Sequence, residues 1–124
     1  MHIGILKRAI QEAELSMYHP YRVGAVLFHG ARILSSGHNE IRSNPIHIKY
    51  KKYAEALHAE QACLIGLNWN KLRNCSILIV RLNISGNLSL AKPCSMCSQL
   101  ISYVGLKYVY YSNRNGEIVK EKVI

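Results

Sequence analysis

The order of apolar and turn-forming segments predicts an α/β fold: a mixed five-stranded sheet covered by helices. Three observations carry that prediction. A helical apolar stripe opens the chain, a β-hairpin pattern follows it, and two further helical segments alternate with strands. Only Ser112 to Glu117 separates the last two strands, whereas a parallel crossover needs about a dozen residues or more, so that pair is expected to be antiparallel.

Ile3, Leu6, Ala9, Ile10, Ala13 and Met17 recur at three- and four-residue steps, which gives the first helix one buried face, and Pro20 lies just beyond its end. Tyr21 to Phe28 is β-rich, His29-Gly30 is a turn, and Ala31 to Ser36 returns as the hairpin partner. Gly37 to Tyr53 reads as a long polar loop containing Pro45. The next helix starts between Ala54 and His58 and runs to about Leu67. Ser76 to Leu82 is a near-continuous apolar strand, Ser85-Gly86-Asn87 a turn, and Pro93 opens a helix ending near Gly105. Lys107 to Tyr111 and Ile118 to Val123 complete the strands, with a helical reading of the last segment still open.

The chain has 124 residues and is 49% hydrophobic. That suffices for one core and sets the expectation of a single domain over residues 1–124. Four cysteines do not suggest a disulfide framework, because two form a Cys-x-x-Cys pair and Cys63 and Cys75 lie in or beside apolar segments. Free thiols, and a first segment interrupted by Lys7, Arg8, Glu12 and Glu14, argue for a cytoplasmic chain without a signal core or membrane span. Three Asn-x-Ser triplets, at Asn74, Asn83 and Asn87, have no meaning without secretion.

Sixteen Lys and Arg against seven Glu give a formal charge of +9. Such an excess favours an anionic partner, nucleic acid first, although dispersed basic residues also serve solubility. Arg42, Lys49, Lys51 and Lys52 cluster before the histidine motif. Arg22, Arg81, Lys92 and Arg114 fall near strand ends, where they are able to border one mouth.

The chemistry resides in His58-Ala59-Glu60 and Pro93-Cys94-Ser95-Met96-Cys97. One His and two Cys supply three metal ligands, and Glu60 is a carboxylate to spare. A structural zinc is normally closed by four protein ligands, whereas a hydrolytic zinc keeps a position for water and needs an acid/base beside it. Cysteines at i and i+3 share one side of a helix start, where the dipole favours thiolate. His58 and Glu60 are two apart, a spacing that suits a helix's first turn better than its interior.

These residues resemble the zinc-dependent cytidine deaminase superfamily, whose signature is His-x-Glu with Pro-Cys-x-x-Cys. The likeness extends through Val23-Gly24-Ala25-Val26-Leu27, Ser36-Gly37-His38-Asn39 and Lys107-Tyr108-Val109-Tyr110-Tyr111. Asn44-Pro45 to His58 and Ala91-Lys92-Pro93-Cys94 look most like small phage and bacterial members. The resemblance implies a three-layer α/β/α deaminase fold, Zn²⁺ held by His58, Cys94 and Cys97, and Glu60 as the proton shuttle. It also implies that Asn39 contacts the sugar and that backbone around Ala59 reads the pyrimidine edge. Arg114, on a turn after a strand expected to border the pocket, is the candidate for flanking nucleotides.

The implied reaction is hydrolytic deamination of cytosine to uracil, with zinc-activated water adding at C4 and Glu60 moving protons to N3 and the departing amine. The charge of +9 favours cytosine in DNA. Free cytidine or deoxycytidylate is the rival substrate. A tRNA adenosine deaminase fits less well, because that subgroup usually has Glu where this chain has Lys92 and a helix between its last two strands. The short final connection weakens the deoxycytidylate reading in the same way. A different class, a nucleic-acid-binding module with structural zinc, needs a fourth ligand from Cys63, Cys75 or His47 and leaves Glu60 without a role. Tyr108, Tyr110 and Tyr111 include candidates for base stacking, though strand alternation sends at least one into the core. Cys63 fits a core position better than a ligand position. His19, His29 and His47 fit surface or loop positions, and His38 is of interest only for its place beside Asn39. Glu55 fits a solvated helix start.

Overall fold

The computed structural model describes residues 1–41 and 56–124. Helix α1 (Ile3–Leu15) leads through a short 3-10 turn, His19–Tyr21, into β1 (Arg22–His29) and β2 (Arg32–His38). β3 (Glu40–Ile41) pairs antiparallel with β4 (Ala56–Leu57), and that small ladder delivers the chain to helix α2 (Ala59–Leu64). After a second 3-10 turn come β5 (Ser76–Leu82), β6 (Leu88–Ser89), helix α3 (Ser95–Val104), β7 (Tyr108–Ser112) and β8 (Ile118–Lys122).

The main sheet runs β2-β1-β5-β7-β8. Its five-strand path is mixed as expected: β5 and β7 are parallel, and the other pairs are antiparallel. The last segment is a strand, which closes the helical alternative for Ile118 to Val123. β6 was not anticipated. β7 accompanies β5 from Ser76 to Ile79, and β6 takes over at Arg81 and Leu82.

Strand alternation divides the core into two layers. Val26, Phe28, Leu78, Val80 and Leu82 meet Ile5, Ala9 and Ala13 of α1 on one face. Ala25, Leu27, Ile77 and Ile79 meet Ala59, Cys63 and Leu64 of α2 and Ile101 and Val104 of α3 on the other. Fully burying a Leu or Ile contributes roughly 1.5–3 kcal/mol, so both faces hold their helices firmly. Glu12 of α1 is also buried, where its carboxylate accepts from Ser36 Oγ at 2.6 Å and meets His38 Nδ1 at 2.9 Å. No described helix is long and apolar enough to cross a membrane.

Three boundaries differ from expectation. Gly37 and His38 extend β2 and Glu40-Ile41 forms β3, so the expected loop starts later; its remainder, with Arg42, His47, Lys49, Lys51 and Lys52, lies outside the described residues, as does Glu55 at the expected helix start. α2 stops at Leu64 rather than near Leu67, because Ile65 turns extended and the Trp69 indole donates to the Leu64 carbonyl at 3.0 Å. Pro93 stands before the N-cap of α3, where it restrains entry into the helix instead of occupying the first turn.

Candidate active site

Two helix starts build the site. His58 is the N-cap of α2, with extended backbone, and its N–H donates to Gln61 Oε1 at 2.9 Å, which fixes the angle at which the chain enters the helix. Cys94 is the N-cap of α3, and its sulfur accepts from the Cys97 N–H at 3.5 Å. The expected placement at helix starts therefore holds for His58, Glu60, Cys94 and Cys97, as N-caps or first-turn residues, but not for Pro93. His58 to Glu60 straddle one cap, so the two-residue spacing no longer separates their side chains.

His58 Nδ1 lies 3.3 Å from Cys97 Sγ and 3.8 Å from Cys94 Sγ. One donor atom from each of the three residues falls within 4.8 Å of the others. Tetrahedral zinc with Zn–S about 2.3 Å and Zn–N about 2.0–2.1 Å sets donor separations of about 3.6–3.8 Å; the pair with Cys94 matches, and the pair with Cys97 is a few tenths of an ångström short, an adjustment within reach of side-chain rotation. Among the described residues no fourth donor joins it. Cys63 is fully buried on the sheet-facing side of α2, its thiol pushed up to about 12 by burial, and Cys75 is buried elsewhere in the core. His47 lies outside the described residues.

The thiol of Cys97 does not behave as a helix start alone predicts. Burial, and then the neighbouring Glu60 carboxylate, push it up. At Cys97 these effects oppose the helix dipole, and a bound cation would offset them. This is the electrostatic form of a metal site.

Above the triangle opens a cleft of about 170 Å³. His58, Ala59, Glu60 and Cys94 form one wall; Tyr21, Val23, Asn39, Ile79, Ala91 and Lys92 complete it. Glu60 is 5% exposed, so its carboxylate faces the cleft from the protein interior. Asn39 is 6% exposed and mostly engaged: Nδ2 donates to the Tyr21 carbonyl at 2.6 Å and Oδ1 accepts from the Val23 N–H at 2.9 Å. It clamps the start of β1 and leaves one amide hydrogen for a ligand.

Other candidates fall elsewhere. Arg114 is exposed on the β7–β8 turn, at the same end of the sheet as the cleft but outside its lining. Tyr111 is buried with its hydroxyl donating to Glu121 at 2.7 Å, and Tyr110 packs on Phe28 on the α1 face. Tyr108 meets Tyr110 edge-on, and none of the three rings lines the cleft. Sequence reasoning missed Tyr21, Val23 and Ile79. Val23 and Ile79 were visible only as inward-facing strand positions and Tyr21 only as an exposed ring just before β1; they become a wall once the strands are paired.

A donor set that keeps a buried carboxylate out of its own ligand sphere belongs to zinc-dependent hydrolytic enzymes. The profile of the cytidine and deoxycytidylate deaminase zinc-binding region matches residues 2–113, and the chain belongs to that family. Among solved structures, the dCMP deaminase of cyanophage S-TIM5 is 25% identical, with TM-score 0.57 over 92% of this chain and 86% of that one. The cytidine deaminase of Burkholderia pseudomallei is 20% identical, with TM-score 0.70 over 99% of this chain and 93% of that one. A tRNA:A34 deaminase is 19% identical, with TM-score 0.55 over 90% and 76%. The chain therefore has the deaminase-like fold, a mixed sheet with helices on both sides, and belongs to a family of zinc-dependent hydrolytic deaminases. No curated protein sequence matches the chain.

Proposed function

We propose that this chain hydrolyses the exocyclic amine of cytosine in a free nucleoside or nucleotide, giving uracil and ammonia. The observation that carries the reading is Glu60, buried beside the His58–Cys94–Cys97 triangle in a cleft of about 170 Å³. Pockets that bury a whole drug-sized ligand run about 300–1,000 Å³. This cleft suits a base and leaves sugar and any phosphate at the rim.

Zinc, when bound by the three side chains, supplies Lewis acidity and lowers the pKa of water from about 15.7 toward about 7. Glu60 accepts the proton of the attacking water, delivers it to N3, and passes a further proton to the departing amine. Backbone at Ala59, which is 1% exposed on the cleft wall, reads the pyrimidine edge. Asn39 offers its remaining amide hydrogen to the sugar.

DNA is the second reading, supported by the charge of +9. The first is favoured because, among the described residues, the rim offers a few cations rather than a track, and because the 25%-identical relative is a dCMP deaminase. Purified protein incubated with cytidine, dCMP and single-stranded DNA, with uracil detected by mass spectrometry, separates the two. Conversion of the free compounds supports the first. Conversion of DNA alone, declining with salt, supports the second. Glu60→Ala should retain zinc and lose about 10²–10⁴-fold in turnover; undiminished turnover in that variant would remove Glu60 from the mechanism.

A further inference from the structure

Arg81 is the unusual cation of the rim. It stands opposite Val23 in the β1–β5 register and two residues beyond Ile79, so it shares a sheet face with two residues of the cleft wall. Its guanidinium carbon lies 4.0 Å from the ring centroid of Tyr21, which also lines the cleft. Stacking of this kind holds a guanidinium plane in place while leaving its edge N–H groups free. The Nε of Arg81 is buried without a hydrogen-bond partner among the described residues, and no described carboxylate pairs with the side chain.

A partly desolvated guanidinium lacking an acceptor is costly. Here the strand fixes it there: Arg81 N–H donates to Ser112 Oγ at 3.3 Å, and β6 pairs its backbone through Ser89. The nearby Arg22 is not equivalent. Its Nε is likewise buried without a partner, but it projects from the opposite sheet face, away from the cleft, and spends Nη2 on the Asn83 carbonyl at 3.0 Å. A planar fork at the rim, preoriented and without an anion of its own, matches a tetrahedral oxyanion. The anion that a cytosine nucleotide brings to this rim is its phosphate.

We propose that Arg81, stacked on Tyr21, binds the 5′-phosphoryl group of the target cytidine and so selects phosphorylated over unphosphorylated substrate. The proposal rests on the deaminase reading above and adds its substrate class. Lys92, on the cleft wall, adds positive charge, but it is exposed and lies 3.9 Å from Glu121.

The test compares deoxycytidine, dCMP and a single-stranded oligodeoxynucleotide with one internal cytosine, using the zinc-loaded full chain. In Arg81→Gln, the ratio of kcat/KM for dCMP over deoxycytidine should fall about 10–100-fold, with a smaller fall in Arg81→Lys, which keeps charge without the fork. Titration calorimetry with dUMP and deoxyuridine should show the same change in the ratio of Kd. A fall confined to the oligodeoxynucleotide, with the dCMP ratio unchanged, would place Arg81 on a strand's phosphodiester and overturn selection of the phosphorylated monomer. Ratios within twofold of wild type in folded Arg81→Gln, or in folded Arg81→Met should the glutamine variant not fold, by both readouts, overturn it. If no cytosine compound is converted, the deaminase reading fails while the binding ratio still decides Arg81.

Discussion

Two glycines, one for each face of the sheet, do the same thing to different ends. A β-carbon on Gly24 would meet the Ala9 carbonyl oxygen at 2.2 Å and the Ala13 nitrogen at 2.6 Å. One on Gly37 would meet the Cys63 nitrogen at 2.8 Å and the Ala62 carbonyl carbon at 2.9 Å. Each admits a helix to within backbone contact of a strand. Yet α1 is 13 residues long and contributes nothing to the cleft, whereas α2 is 6 residues long and begins with Ala59 and Glu60, just after His58. Close approach on the first face serves cohesion. On the second it sets the depth of a carboxylate relative to three metal donors.

Alanine at the two positions is the sharpest way to break that comparison. Gly37→Ala should displace α2 and lower turnover by about 10²-fold, the effect expected of misplacement by about 1 Å, in steady-state assays of the folded enzyme. Gly24→Ala should instead cost about 1–3 kcal/mol of stability in urea unfolding, while the folded fraction keeps its turnover. Equal losses of turnover in both variants would show that the faces are not divided in this way.

Thiol chemistry sharpens it further. Cys94 is exposed at the site, whereas Cys63 is sealed between α2 and the sheet with its thiol pushed up to about 12 by burial. Alkylation followed by peptide mass spectrometry should modify Cys94 only after a chelator removes the metal, and should spare Cys63 in the folded protein throughout. Labelling of Cys63 as fast as Cys94 would mean that α2 opens readily.

The smallest expected effect belongs to the α1 face. Burial raises the Glu12 carboxyl, but hydrogen bonds from Ser36 and His38 and the charges of His38 and Arg8 outweigh it and hold the group below its ordinary 4.5. A folded pKa below the unfolded one stabilises above the unfolded value and is lost as pH falls through the folded one. Unfolding of wild type and Glu12→Gln should therefore differ most near neutral pH, and the gap should narrow below about pH 4.5. A gap that widens on acidification would reverse the sign.

That His58, Cys94, Cys97 and Glu60 meet was legible because each motif is local and spans one helix start. The antiparallel final hairpin was legible from the length of its connection. Other features depend on groups distant in sequence: α2 ends where the Trp69 indole reaches back to Leu64, and β6 exists because β5 outruns β7. Asn39 was marked as a sugar contact, but its amide first closes the turn into β1, which no spacing reveals. Arg81 was visible only as one positive charge among many. Its stacking on Tyr21 is a product of strand pairing.

His58 and Cys94 are both N-caps, and Glu60 and Cys97 follow within one turn. An extra residue spliced in after Cys97 would rotate Ile101 and Val104 away from the sheet yet leave both sulfurs where they stand; one spliced in between Leu57 and His58 would swing the imidazole and carboxylate together. Tolerance to length change should thus be asymmetric about each cap, with inheritable indels confined to the distal ends of these helices.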